Sequence, residues 1–203
     1  MNNKLYKIIY NEIKLILKRD FNINSYTLTQ KGYMITLTTT RFNTKTWNER
    51  KRWMERNNWV SESGCIYGTP VCVKEDVFGT MIVLEMHNDE NRIKAIGLLK
   101  NRHNLSDKKT QLYEDRNYNR YIYKGDYRIE LNYNAKTNAI ENELLTDFEK
   151  LIIAIFNRLL FKGSRHLKRA QGITAVPDWI MNNKRVNLLK PFKDMFKRHY
   201  TIK

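Results

Sequence analysis

The fold is indicated most directly by residues 79–100, GTMIVLEMHNDENRIKAIGLLK. Residues 79–86 are mostly apolar and include β-branched side chains, a composition that favours a strand. The polar run over residues 87–91 is typical of a turn. Residues 92–100 are apolar again and are expected to return as the partner strand. The sequence therefore predicts a β-hairpin here.

Further strands are predicted on both sides of this hairpin. Residues 33–40, YMITLTTT, alternate and are rich in β-branched side chains. Residues 118–133, YNRYIYKGDYRIELNY, alternate aromatic or apolar residues with polar ones, and Gly125 predicts a bend. Residues 65–73, CIYGTPVCV, are short and turn-rich. A sheet of several strands is expected.

Helices are predicted in three places by apolar residues at helical spacing. The first covers residues 3–19. The second runs over about 43–57, with Asn43 or Thr44 as its N-cap. The third is a strong amphipathic helix within residues 141–161, ENELLTDFEKLIIAIFNRLLF. Short basic helices are expected after it.

This order of elements predicts an α+β fold, with a small mixed, barrel-like sheet flanked by helices. We expect a core over residues 1–140 that includes the N-terminal helix. Residues 141–203 are expected to form a basic C-terminal helical extension packed on that core.

The charge of the chain points to an anionic partner. There are 37 basic and 21 acidic residues, and the formal net charge is +16. Such an excess is usual for proteins that bind nucleic acid. It is spread along the chain rather than gathered in one tail, which suits a binding face on a folded domain. A membrane surface and an acidic protein are the alternatives.

The histidines and cysteines do not form a metal-binding pattern. Cys65 and Cys72 lie seven residues apart, and the four histidines are scattered. The sequence therefore predicts neither a metal site nor a cofactor. Charged residues interrupt the N-terminal segment every three or four positions, so it resembles neither a secretory signal nor a membrane span. An intracellular protein, cytoplasmic or nuclear and not bound in a membrane, is expected.

Three of the four tryptophans lie close together among basic residues. Trp47, Trp53 and Trp59 are six residues apart, within RFNTKTWNERKRWMERNNW at positions 41–59. Six residues correspond to about 600° on a helix, so the three rings cannot share one face. At least one is expected to enter the core, and one or two could hold an unstacked base.

Tyrosines and cations alternate over residues 113–133. Cross-strand aromatic packing and a base-stacking surface are both consistent with this pattern. The candidates for base binding in this segment are Tyr113, Tyr118 and Tyr121.

Candidate phosphate ligands fall into two groups. The segment KGSRHLKRAQG, residues 162–172, follows the long predicted helix and carries four fixed cations. Basic residues near a helix C-terminus can complement the helix dipole, but four of them exceed what that requires. The predicted phosphate-binding residues are Lys162, Arg165, Lys168 and Arg169 in this segment, and Arg41, Arg50 and Arg52 earlier in the chain.

One acid–base pair is conceivable. Glu85 and His87 are two residues apart on a predicted strand, so they would share a face. A nuclease or a base-modification enzyme would use this pair, with Asp89 as a further candidate.

The order of the pieces resembles the PUA-like superfamily, especially its YTH and EVE branches. The matching pieces are YMITLTTT, the 43–57 helix, NNWVSE around Trp59, the 79–100 hairpin with Gly97, and YEDRNYNRYIYKGDYRIE. The resemblance implies that Trp59 is one wall of an aromatic cage for a modified base. It implies a second wall between Tyr113 and Tyr121. YNRYIYKG and HLKRAQGI also resemble proteins of large DNA viruses.

The function predicted from these observations is non-enzymatic binding of nucleic acid. RNA or single strands fit better than duplex, because stacking requires exposed bases. A virion or assembly protein that acts through its charge is one alternative, and the Glu85/His87 enzyme is the other. The sequence leaves the oligomeric state open.

Overall fold

The predicted hairpin forms the middle of a five-stranded sheet in the computed structural model. Strand β3, Thr80–His87, pairs antiparallel with β4, Arg92–Lys100. Asn91 closes the turn with a positive φ of 54°, a conformation that asparagine adopts more readily than most residues. The hairpin prediction is confirmed.

The structure describes residues 35–57, 59, 64–74, 79–102, 110–182 and 187–201. All of them belong to one compact unit, Tyr33–Lys203. The helix predicted over residues 3–19 lies outside the described residues.

The five-stranded sheet has the order β6-β4-β3-β1-β7. Strand β1, Ile35–Phe42, runs parallel to β3, and the other neighbouring strands are antiparallel. The two outer strands are short: β6 is Tyr127–Glu130 and β7 is Thr174–Ala175. Strand β7 comes from the C-terminal part of the chain, so that part contributes to the sheet itself.

A second sheet contains β2, Cys65–Thr69, and β5, Tyr121–Gly125. The predicted bend at Gly125 is confirmed, because β5 ends there and the chain continues into β6 in the other sheet. Among the described strands the two sheets remain separate and do not close into a barrel. The expected barrel-like sheet is thus replaced by two open sheets in a mixed α+β fold.

Two helices begin with side-chain capping, and the cap predicted at Asn43 is confirmed. Helix α1, Thr44–Arg56, starts with a capping box at Asn43, and α2, Asp147–Phe161, starts with one at Thr146. Gly163 follows α2 with φ 82°, as expected for a residue just beyond a helix end. The remaining elements are a 3₁₀ turn at Arg116–Asn119 and the helices α3, Asp178–Met181, and α4, Leu189–Thr201.

The sheet has a hydrophobic core on each face. Along β3, Ile82, Leu84 and Met86 contribute to a core with α2 and α4, whereas Met81 and Val83 contribute to a core with α1 and the second sheet. A strand that is covered on both faces needs apolar residues at successive positions, which explains the nearly continuous apolar run of β3. In the described ranges, no helix is both long and apolar enough to cross a membrane.

Candidate nucleic-acid interface

Arg41 lies against residues 162–172, which we call the basic loop. Its Nε donates a hydrogen bond to the carbonyl oxygen of Leu167 at 2.7 Å, and its Nη1 donates to Thr174 Oγ1 at 2.8 Å. Nη1 also donates to the carbonyl oxygen of Gly172 at 3.3 Å. Burial lowers the pKa of Arg41 to about 10, which leaves the guanidinium charged at neutral pH. Arg41 was predicted to bind phosphate, but the structure uses it to anchor the loop.

Three further hydrogen bonds fix the basic loop. Asn88 Nδ2, in the β3–β4 turn, donates to the carbonyl oxygen of Lys168 at 3.0 Å. The Lys168 Nζ donates to Asn91 Oδ1 in the same turn at 2.7 Å. The amide of Leu167 donates to the carbonyl oxygen of Leu160 at the end of α2 at 2.8 Å. The loop is therefore attached to the sheet and to a helix, although it has no regular structure.

The cations of the loop lie on its outside. Lys162, Arg165 and Arg169 are exposed, and Lys168 is half-buried because it reaches the β3–β4 turn. Residues 162–177 contain no acidic residue. Within the described ranges, none of the three exposed side chains forms a salt bridge. The loop thus presents several uncompensated positive charges on a fixed backbone.

The exposed face of α1 carries cations that are partly neutralised. Arg52, which was predicted to bind phosphate, is exposed on this face. Its neighbour Lys45 pairs with Glu114 at 2.6 Å, and Lys51 approaches Glu55 at 4.0 Å. A shallow cleft of about 410 Å³ lies on this face, lined by Lys45, Asn48, Lys51, Arg52 and Glu55. Because of these acidic neighbours, this face carries less uncompensated positive charge than the basic loop.

Arg50 belongs to a buried ionic cluster formed with Glu85, Arg128 and Tyr67. Its Nη2 donates to Glu85 Oε2 at 2.8 Å. Arg128 grips the same carboxylate with Nε at 2.9 Å and Nη2 at 3.1 Å, and Tyr67 Oη donates at 2.8 Å. Glu85 has no exposed surface and Arg50 is 3% exposed. Arg50 was predicted to bind phosphate, but in this structure it neutralises a buried carboxylate.

Trp47 supports this cluster rather than an open pocket. The Arg50 guanidinium carbon lies 4.3 Å from the centroid of Phe42 and 4.4 Å from that of Trp47. Arg50 Nε and Nη1 have no hydrogen-bond partner among the described residues. The two aromatic faces offer these donors a cation–π interaction instead. Trp47 therefore stabilises the buried charge.

Gly97 makes room for the tyrosine of the cluster. A Cβ at this position would lie 2.0 Å from Tyr67 Oη and 3.0 Å from Cys65 Sγ. Any larger residue would displace the Tyr67 hydroxyl from the Glu85 carboxylate. The glycine highlighted by the PUA-like resemblance is thus explained by packing.

The Glu85 carboxylate titrates far below its ordinary range. Burial alone would raise its pKa, but Arg128 and then Arg50 outweigh burial and lower the pKa to about 2, from the usual 4.5. As the pH falls, the unfolded chain therefore binds this proton before the folded protein does. The stability contributed by Glu85 is present above about pH 4.5 and is lost as the pH falls towards 2.

This titration leads to a test by pH. The free-energy difference of unfolding between wild type and Glu85→Gln is expected to stay constant from pH 8 to about pH 5. It is then expected to shrink by about 3 kcal/mol on acidification towards pH 2. Urea unfolding of both proteins at a series of pH values measures it. A difference that stays constant down to pH 2 would contradict the ionic role of Glu85.

Glu85 and His87 do not form an accessible acid–base pair. Both Glu85 oxygens accept from Arg128, Arg50 or Tyr67, so the carboxylate has no lone pair directed to a substrate. His87 is 3% exposed, and its Nδ1 accepts from the Glu90 amide at 3.3 Å. Neither Glu85 nor His87 is therefore accessible to act as the general base that the enzyme alternative requires.

Trp59 packs against the second sheet and a neighbouring tryptophan. A Cβ on Gly64 would lie 2.5 Å from Trp59 Nε1, so the indole touches the backbone where β2 begins. Trp53 lies beside Trp59, with ring centroids 6.2 Å apart. The Lys124 Nζ lies 5.4 Å from the centroid of the Trp59 ring. Both tryptophans are partly buried and pack against the core below α1.

The tyrosines expected to oppose Trp59 lie at the other end of the same sheet. Tyr113 packs on Gly68, since a Cβ on Gly68 would lie 2.9 Å from the Tyr113 ring. The rings of Tyr113 and Tyr118 are in edge contact, with centroids 6.2 Å apart. Tyr121 pairs with the last residue of β2. The first and last residues of β2 are four residue steps apart, or about 13 Å. The structure therefore does not bring Trp59 and these tyrosines together as two walls around one base.

Trp179 is an exposed aromatic residue that the sequence reasoning missed. It is 48% exposed, and the Arg165 guanidinium carbon lies 5.8 Å from its ring centroid. The signal was present in PDWI, residues 177–180, close after the basic segment.

Comparison of the chain with known proteins finds no relative. The chain matches no model of a known protein family. Neither a curated protein sequence nor a solved structure shows significant similarity to it. The functional interpretation therefore depends on the site itself.

Proposed function

We propose that the protein binds nucleic acid without catalysing a reaction on it, and that the basic loop is its main phosphate-binding surface. The observation that carries the proposal is the anchored loop with its exposed, unpaired cations. Arg41 holds the backbone of residues 162–172 from below, while Lys162, Arg165 and Arg169 extend outward.

The anchoring of the loop favours binding of an extended polyanion. A loop whose backbone is already fixed loses less conformational entropy when its ligand binds. Arginine can hold a phosphate through two parallel hydrogen bonds. The absence of acidic residues from positions 162–177 keeps these donors available. The net charge of +16 would attract the ligand from a distance.

The proposal includes a PUA-like relationship for the core, and RNA or another single strand as the preferred ligand. The order of elements supports the relationship, since β1, α1 and, after β2, the β3–β4 hairpin occur in the order that the resemblance implies. The proposal does not place a base between Trp59 and Tyr113, because these residues lie at opposite ends of β2.

Removal of two loop cations tests the proposal. Arg165→Gln with Arg169→Gln is expected to weaken binding of a short single strand about 25-fold at about 0.1 M salt, if each arginine neutralises one phosphate. Fluorescence anisotropy of a labelled oligonucleotide measures the affinity.

The matched control removes the same charge elsewhere. Lys100 and Arg102 are exposed at the end of β4 that lies away from the β3–β4 turn. Lys100→Gln with Arg102→Gln should change the affinity no more than about threefold, because only the overall field is reduced. Equal losses in the two double variants would show that total charge, as in a structural packaging role, determines binding, and would overturn the proposed site.

A further inference from the structure

We infer that Trp179 is a base-stacking platform, and that the ligand of the basic loop is a single strand with at least one unstacked base. This inference rests on the proposed function, since it assigns the ligand class of the same surface. It concerns a residue outside the tryptophan cluster at positions 47–59.

Trp179 is exposed while its neighbours in sequence are fixed. Ile180, the next residue, is 4% exposed and belongs to the main core, and Val176 is equally buried. The Val176 amide donates to the carbonyl oxygen of Leu37 in β1 at 2.9 Å. The chain is therefore held to the sheet before Trp179 and by a core side chain directly after it, so the position of the indole is fixed from both sides.

The other three tryptophans have aromatic neighbours. Trp47 makes edge contacts with Phe42 and His87, and Trp53 lies beside Trp59. Trp179 differs from them because about half of its surface is open. Tryptophan is highly buried on average, so a half-open indole beside a cation is a candidate surface for stacking.

Arg165 connects the open ring to the basic loop. Its guanidinium carbon lies 5.8 Å from the Trp179 centroid, within the range of a cation–π contact. A cation beside an aromatic face is the arrangement that binds single strands, because the ring stacks on a base while the cation engages the adjacent phosphate. In a duplex the base faces are covered by their neighbours, so Trp179 would have little to stack on.

The inference is tested with Trp179→Ala and Trp179→Phe. Anisotropy titrations use labelled single strands of oligothymidine and oligouridine and a duplex of equal length. Trp179→Ala is expected to weaken both single strands about 5- to 150-fold and to change duplex binding less than about twofold. Trp179→Phe retains a ring and should keep most of the affinity. Leu144→Ala, at another exposed apolar side chain, should bind like the wild type.

Each outcome separates the inference from the proposed function. If Trp179→Ala binds single strands like the wild type, or weakens single strands and duplex equally, the stacking role is overturned while the basic loop remains a phosphate site. If the wild type binds none of the three ligands, the proposed function fails as well. If Trp179→Ala melts at a lower temperature, the affinity is measured for its folded fraction and compared with that of Trp179→Phe. A stable Trp179→Phe protein that binds as weakly as the folded Trp179→Ala protein would also overturn the stacking role.

Discussion

Glu85→Gln is expected to lower the free energy of unfolding by about 3–5 kcal/mol, the largest single effect we predict. Glutamine has nearly the shape of glutamate but no charge. Its introduction leaves Arg50 buried without a counter-ion and leaves Arg128 with only the exposed Glu130, while both arginines are at most 5% exposed. The cost comes mainly from the uncompensated charge of Arg50 and the weakened compensation of Arg128, rather than from the loss of one hydrogen bond.

Chemical denaturation at neutral pH measures this loss. The matched control is Glu130→Gln, since Glu130 also pairs with Arg128, at 3.1 Å, but its side chain is 58% exposed. Exposed pairs contribute roughly 0–1 kcal/mol, so the control should be nearly neutral. A Glu85→Gln protein within about 1 kcal/mol of the wild type would mean that the arginines find other partners.

Arg41→Ala is expected to have the second largest effect and to act on both stability and binding. It removes charge-assisted hydrogen bonds to the carbonyl oxygens of Leu167 and Gly172 and to Thr174. Hydrogen bonds to charged groups contribute about 1.5–3 kcal/mol each. The three bonds share one guanidinium, and burial disfavours its charge, so their contributions do not add in full. A loss of about 3 kcal/mol is therefore expected, concentrated in the basic loop. Single-strand affinity should fall together with the stability of the loop, because the exposed cations lose their fixed positions.

Hydrogen exchange distinguishes this local effect from global unfolding. The Leu167 amide, which donates to Leu160, should lose its protection in Arg41→Ala, while amides of the β3–β4 hairpin keep theirs. Arg41→Lys retains the charge but lacks the guanidinium fork, and should give an intermediate result. Unchanged protection at Leu167 would show that the loop does not depend on Arg41.

The elements with local signals could be predicted from the sequence. The hairpin at 79–100, the cap at Asn43 and the bend at Gly125 all depend on residues close together in the chain. Strand β7 could not be predicted in this way. It has only two residues, Thr174 and Ala175, and it exists because β1 offers them an edge more than 130 residues earlier.

The site was harder to predict because side-chain environment depends on distant pairing. Arg50, Arg52 and Arg41 look equivalent in the sequence, yet one neutralises Glu85, one is exposed, and one anchors a loop. Glu85 meets Arg128 because β3 and β6 both flank β4, which no local pattern reveals. The basic loop could be recognised because its four cations fall within eight residues and residues 162–177 contain no acidic residue.

The salt dependence of single-strand binding tests the central claim most directly. If the three exposed loop cations each displace a counter-ion, a plot of log K for binding against log salt should have a slope of about −2 or steeper for the wild type. The slope should become shallower by about 1.4 in Arg165→Gln/Arg169→Gln and change little in Lys100→Gln/Arg102→Gln. A wild type that does not bind at about 0.05 M salt, or a slope that is the same with and without the two loop arginines, would contradict the account.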